Sequence, residues 1–276
     1  LAAVIDDFRP DIVLSWMSRA SAVSAKAIAR SARRPKLVGR LGGYYDLKYY
    51  RGCDHLIGNT PDIVSYLEAE SWPSERGHFV PNFVSAEPGT ALARSEFSIP
   101  ANAPIFLAAG RLHGNKAFDV LLHALKRVDG AFLLLAGDGD DARSLNVLAH
   151  KLDVASRVRF LGWRSDIADL MATADILVCP SRIEPLGNVL IEAWARSLPI
   201  VAAASAGPMW LIRDGEDGLL VPVDDCGALA AALTRLIADP ELRTSLAQKG
   251  AKRFEVEFTE DVVVRHYFEL FETVLG

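Results

Sequence analysis

Two carboxylates and two cations stand out in this chain by type and spacing. Glu184 and Glu192 are separated by seven residues, Pro185 and Gly187 among them, in the run Cys179-Pro-Ser-Arg-Ile-Glu-Pro-Leu-Gly-Asn-Val-Leu-Ile-Glu192. Upstream, Arg111 and Lys116 fall within Gly110-Arg-Leu-His-Gly-Asn-Lys116. A helix N-terminus offers unpaired N–H groups and a partial positive charge, and so seats phosphate. A cation pair facing such a terminus suits a diphosphate, both bound and as a leaving group developing charge. Carboxylates beside that seat accept from hydroxyl groups. A ligand with both phosphates and hydroxyls, such as a sugar nucleotide, fits. Each residue also has a plainer reading: Arg111 and Lys116 as exposed loop charges, Glu192 as a solvated helix position. The apolar neighbours Ile191, Ala193 and Trp194 speak against the last.

These side chains need elements to position them. The apolar run Ile176–Cys179 reads as a buried strand ending at Pro180, and Asn188–Ala195 as a helix starting just after Gly187. Glu184 then lies in a strand-to-helix loop and Glu192 about one turn into the helix. Pro104–Ala109, Ala131–Ala136, Val158–Leu161, Leu198–Ala203 and Leu219–Pro222 read as further strands. Helices are expected between them, one capped by Ser165, and over Cys226–Ala238, Pro240–Phe254 and Glu260–Leu275. In open α/β sheets, ligands sit outside the carboxyl ends of the strands. Four exit loops therefore matter: Gly110–Lys116, Gly137–Asp140, Gly162–Arg164 and Ser181–Asn188. Gly137-Asp-Gly139 falls short of the G-x-G-x-x-G dinucleotide fingerprint. Trp163 and Arg164 could flank a nucleobase, or Trp163 could simply pack.

The first part of the chain alternates in the same way. Leu1–Phe8 reads as the end of a helix, Asp11–Trp16 as a strand, about Ala20 to Ser31 as a helix and Lys36–Gly39 as a strand. A glycine loop begins at Arg40, His55–Gly58 is a strand, and Thr60-Pro61 opens a helix. Strands alternating with helices predict an α/β protein with two Rossmann-like domains. The expected boundaries are 1–98 for a partial N-terminal domain, 99–258 for the second, and 259–276 for a C-terminal helix. Residues 84–104, with Pro88, Pro100 and Pro104, read as a linker. The chain starts on Leu and on a helix end, so the first domain is expected to be truncated.

Composition narrows the classes further. The 276 residues are half hydrophobic and carry a net charge of -5, which argues against a nucleic-acid partner. Three scattered cysteines, Cys53, Cys179 and Cys226, suit a reducing cytoplasm and give no disulfide or zinc framework. The six histidines show no metal-ligand spacing. No apolar run reaches the ~20 residues that span a bilayer, and no signal peptide is visible. Tyr44, Tyr45, Tyr49 and Tyr50, with Arg40, Lys48 and Arg51, form a basic and aromatic loop. It could meet an acceptor or a membrane surface, or be a plain surface loop.

The second domain resembles the nucleotide-sugar-binding half of a GT-B fold, retaining glycosyltransferase of family 4 (glycosyl transferases group 1). The matching pieces are Ala109-Gly-Arg-Leu to Lys116, Leu135-Ala-Gly-Asp-Gly139, Phe160-Leu-Gly162, Glu184-Pro-Leu-Gly187 to Glu192, and Asp214-Gly-Glu-Asp-Gly-Leu-Leu-Val221. Arg9-Pro-Asp-Ile-Val13 and Pro81-Asn-Phe-Val84 resemble the family's N-domain strand and interdomain junction. The resemblance implies a UDP- or GDP-linked sugar as donor substrate and no metal or other cofactor. Arg111, Lys116 and backbone N–H groups of Asn188, Val189 and Leu190 would grip the diphosphate. Glu192 would hold the ribose hydroxyls, Glu184 the donor sugar, and the Gly162-Trp163-Arg164 loop the base. Gly110, Gly137, Gly139, Leu186 and Gly187 complete the donor-binding set. The acceptor would be a glycan or a lipid-linked glycan of lipopolysaccharide type, reached in the cytoplasm or at the inner face of the membrane.

The family's glycine-rich first loop precedes Leu1 or is absent, and Ser15-Trp-Met-Ser-Arg19 stands where many members carry a histidine. A non-catalytic nucleotide-sugar-binding module is therefore the alternative. An epimerase on the same fold would need carboxylates and histidines in the N-domain that the sequence does not offer.

Overall fold

The structure, a computed structural model, describes residues 1–276. The chain divides into two compact units, Leu1–Phe83 with Glu260–Gly276, and Val84–Thr259.

In the first unit α1 (Ala2–Phe8) is followed by β1 (Ile12–Trp16), α2 (Met17–Arg30), β2 (Lys36–Leu41), β3 (His55–Gly58), α3 (Pro61–Ala69) and β4 (Gly77–Phe79). The strands pair in parallel in the order β1-β2-β3-β4. The Thr60 hydroxyl accepts from the N–H of Ile63 at 3.2 Å and caps α3, with Pro61 in the first turn, where its missing N–H is no loss. α2 begins at Met17 rather than near Ala20, because Met17 takes a φ of 70° and turns strand into helix without a loop.

Arg40, expected in a loop, belongs to β2 and is buried. Its guanidinium donates to the Tyr267 hydroxyl at 2.5 Å, to the Asn82 side chain, and to the carbonyls of Val80 and Pro81. Tyr50 is fully buried as well. The basic and aromatic surface is thereby reduced chiefly to Tyr44, Lys48, Tyr49 and Arg51.

The second unit runs β5 (Ile105–Ala109), α4 (Phe118–Leu125), β6 (Phe132–Ala136), α5 (Ala142–Lys151), β7 (Val158–Gly162), α6 (Ile167–Thr173), β8 (Ile176–Cys179), α7 (Asn188–Trp194), β9 (Ile200–Ala203), α8 (Ala206–Leu211), β10 (Leu219–Val221), α9 (Cys226–Ala238) and α10 (Pro240–Glu257). Its parallel sheet has the order β10-β9-β8-β5-β6-β7. Side chains alternate across it, as the pleat requires. Phe106 and Ala108 join Leu121, Leu133 and Val178 in one core, while Ile105 and Leu107 join Leu134, Leu177 and Trp194 in another. Both faces are covered, which is why β5, β6, β8 and β9 are apolar throughout rather than alternating. α6 starts at Ile167, after Asp166 and not after a Ser165 cap. The Asp166 carboxylate is taken by Arg164 instead.

The stretch read as a linker is fastened to this unit, so the boundary falls before Val84 and not at residue 99. The N–H groups of Thr90 and Leu92 donate to Asp169 at 2.7 Å and Thr173 at 2.8 Å. Arg94 pairs with Asp175, and Phe97 and Ile99 are buried in the core that holds Trp194. The final helix, α11 (Glu260–Leu275), belongs to the first unit, where Val263, Leu270 and Val274 pack with Val38, Ile57 and Val80. No helix is long and apolar enough to cross a membrane.

One topological fact positions the site. From β5 the sheet grows through β6 to β7 on one side, while β8, β9 and β10 extend it on the other. The order reverses between β5 and β8, and the loops leaving such a pair diverge and open a crevice at the carboxyl ends.

Candidate active site

The loops at this switch point carry the residues singled out by spacing. After β5, His113 Nδ1 accepts from the N–H of Asn115 at 3.2 Å and sets a single 3-10 turn, Gly114–Lys116. Ala117 follows with a φ of 52° and leads into α4. Lys116 leaves this turn toward the loop after β8, and its ammonium donates to Oε2 of Glu184 as an ion pair. The Ser181 hydroxyl donates to the same oxygen at 3.2 Å. Glu184 is buried and Lys116 half-buried. An ammonium has three donors, and Glu184 uses one of them, so two remain for a ligand.

Main-chain bonds hold the two loops in register. The N–H groups of Arg182 and Ile183 both donate to the Asn115 carbonyl, at 2.8 and 3.2 Å, and that of Gly207 donates to the Glu184 carbonyl at 2.8 Å. Gly187 opens α7 with a φ of 92°, and a Cβ there would lie 3.0 Å from a Leu190 methyl. The helix therefore begins without a side-chain cap. Leu186 and Leu190 are core residues, and the Leu190 N–H already donates to the Gly187 carbonyl at 2.9 Å. Asn188 is exposed and Val189 half-buried at the helix start.

Glu192 lies half-buried on α7, and no hydrogen bond to its carboxylate is present. Burial pushes its pKa up, against the opposing field of Arg196.

Of the remaining expected contacts, Gly110 lies against Lys116, a Cβ there falling 3.4 Å from its Cε, whereas Arg111 and Arg164 pair elsewhere. Arg111 is 71% exposed and its partner is Asp140, at 3.6 Å. Trp163 is 77% exposed. Arg164 forks onto Asp166, and that hydrogen bonding holds the Asp166 carboxyl below its ordinary value. The glycines have backbone reasons: a Cβ on Gly137 would meet the Gly110 carbonyl oxygen at 1.9 Å, and one on Gly139 the Leu112 carbonyl oxygen at 2.4 Å. The N–H of Gly110 donates to Ala136 and that of Gly137 to Gly162, so three exit loops are stitched side by side.

Ser181, which bonds Glu184, and Arg182, which bonds the turn ahead of Lys116, escaped the sequence reading. Both lie within three residues of Glu184 in the same loop, the one available signal. No group of three His, Cys, Asp or Glu side chains is arranged to hold a metal ion.

Two α/β units with parallel sheets, and a lysine–carboxylate pair at the second unit's switch point, define a two-domain α/β protein with a ligand crevice at its strand ends. Comparison with known proteins carries this further. The family model described as glycosyl transferases group 1 matches residues 91–253. The lipopolysaccharide core biosynthesis glycosyltransferase LpsE of Rhizobium meliloti (strain 1021) is 35% identical over 263 residues, 95% of this chain and 76% of that protein. LpsD of the same organism, with the same description, is 34% identical over 98% of this chain and 77% of its own length. Among solved structures, Anabaena HepE in complex with UDP and glucose superposes with a TM-score of 0.88 at 22% identity, covering 98% of this chain and 80% of that one. The chain belongs to the glycosyl transferases group 1 family and is a glycosyltransferase of GT-B fold.

Proposed function

We propose that the protein transfers a sugar from a nucleoside diphosphate donor to a glycan or lipid-linked acceptor of the lipopolysaccharide-core type. The observation that carries this reading is the meeting of Lys116 and Glu184 at the switch point. There one free-donor cation and one carboxylate share the space a diphospho-sugar would fill. Lys116 neutralises the diphosphate as it leaves, which is electrostatic catalysis by a preorganised charge. Glu184, oriented by Ser181, accepts from the donor sugar's hydroxyls.

Arg111 turns from its loose, exposed contact with Asp140 onto the same diphosphate, since such surface pairs contribute little. Glu192 receives the ribose hydroxyls, and Trp163 and Arg164 border the nucleobase. With two cations in these roles, leaving-group charge is met without a metal, and transfer is of the retaining type that family 4 resemblance implies. HepE, solved with UDP and with UDP-glucose, makes a uridine nucleotide the first donor to try. LpsE and LpsD point to the acceptor class by their descriptions.

The test is thermal unfolding in the presence of UDP-, GDP- and ADP-sugars. A donor bound at a hundred times its Kd stabilises by about 2.7 kcal/mol, which shifts the melting temperature by several degrees. A shift with one donor class supports the reading. No shift with any at millimolar concentration contradicts it.

A further inference from the structure

We infer that Arg182 is a positioning residue of this site: it sets where Lys116 stands by tying the turn that carries it to the loop that carries Glu184. Its Nη1 donates to the Gly114 carbonyl at 2.8 Å and to Asp119 Oδ1 at 2.9 Å. Its Nη2 donates to Asp119 Oδ2 at 2.7 Å, and its Nε to Asp224 Oδ1 at 2.6 Å. Its own N–H bonds the Asn115 carbonyl. One residue therefore grips both positions that precede Lys116, the first turn of α4 through Asp119, and the segment after β10 through Asp224.

The geometry explains why this matters for function more than for stability. Lys116 reaches Glu184 from this turn, so the turn and the ion pair together set where its ammonium stands. That turn is one 3-10 turn followed by Ala117 at positive φ, with no helix of its own to stiffen it. The Arg182 ion pairs are partly exposed, and exposed pairs add little to folding. A displacement of about 1 Å at a reacting group, by contrast, can lower the rate 100-fold. Lysine at position 182 cannot reproduce a fork that serves two carboxylates and a carbonyl at once.

The inference rests on Lys116 binding the donor diphosphate, and a double-mutant cycle separates the two claims. Calorimetry would measure the Kd of UDP and of GDP for the wild type, Arg182→Ala, Arg182→Lys, Lys116→Ala and the double variant Arg182→Ala/Lys116→Ala. For the tighter nucleotide, Lys116→Ala should weaken binding about tenfold or more, and Arg182→Ala about tenfold, with a melting temperature within about 3 °C of wild type. Arg182→Lys should fall between. The double variant should bind within about threefold of Lys116→Ala alone, because Arg182 acts through Lys116. A Kd for Arg182→Ala within twofold of wild type overturns the inference, as does a further tenfold loss on the Lys116→Ala background. If Lys116→Ala leaves the Kd unchanged, the reading of Lys116 itself fails and takes the inference with it. Should Arg182→Ala lose its folded circular dichroism, Arg182→Lys and Asp119→Asn make the same comparison.

Discussion

The ammonium of Lys116 and the carboxylate of Glu184 meet across the place where the strand order of the second unit reverses, 68 residues apart in the chain. Glu184 is buried and Lys116 half-buried, an arrangement a fold does not need for its stability. Replacing such pairs by apolar groups is often harmless, whereas removing one partner leaves a charge without compensation. Lys116→Ala should accordingly destabilise by about 1–3 kcal/mol, discounted from the fully buried case because Lys116 keeps 26% of its surface. Glu184→Gln, which still accepts from Lys116 and Ser181, should cost less. Urea unfolding of both variants measures the order.

Glu192 predicts a pH signature. Burial raises its pKa, so the folded state holds this proton at pH values where the unfolded chain has released it. Stability referred to Glu192→Gln is greatest below the ordinary glutamate pKa and falls as pH rises through the raised one. Ligand binding runs the other way, because ribose hydroxyls donate best to the ionised carboxylate. Unfolding curves from pH 4 to 8 for wild type and Glu192→Gln, with and without nucleotide, should show opposite slopes. Parallel curves would remove the ribose role.

Trp163 separates binding from packing. At 77% exposure it supports almost nothing in the fold. Trp163→Ala should change unfolding free energy by under about 0.5 kcal/mol. If the indole carries the nucleobase, the same change should weaken nucleotide affinity by about 1–3 kcal/mol, the usual worth of base stacking on an aromatic ring. Titration of the variant by fluorescence or calorimetry decides.

Gly250 is a structural glycine that looks ordinary in the sequence. It lies in α10, where a Cβ would approach Trp194 Cδ1 at 2.2 Å. Trp194 cannot yield: it is fully buried, donates from Nε1 to the Asp217 carbonyl at 2.9 Å, and lies beneath the Arg253 guanidinium. Gly250→Ala should cost about 1–3 kcal/mol by overpacking although alanine favours helix. A melting temperature equal to or above wild type would contradict this.

Much of the fold was legible because parallel strands buried on both faces write long apolar runs, and caps such as Thr60-Pro61 mark helix starts. α9 and α11 begin and end where periodicity places them. What was not legible depends on contacts between distant residues. Arg40 looked like a loop cation because nothing local announces that Tyr267, Asn82 and Val80 will surround it. The stretch 84–104 looked like a linker because its fastening comes from Asp169, Thr173 and Asp175, some 80 residues on. At the site, E-x7-E spacing and the glycine loop could mark Glu184 and Lys116. Only the chain's three-dimensional path could show that they touch, that Arg111 turns to Asp140, and that Arg182 bonds the turn ahead of Lys116.

The most direct measurement is donor turnover: release of nucleoside diphosphate from the stabilising sugar donor, in the presence of glycan acceptor, by wild type and by Glu184→Gln of equal folded content. If Lys116 and Glu184 form the centre of glycosyl transfer, wild type turns the donor over. Glu184→Gln then loses at least about 100-fold, the scale of removing one preorganised group. Equal rates for the two proteins would contradict the central role of Glu184.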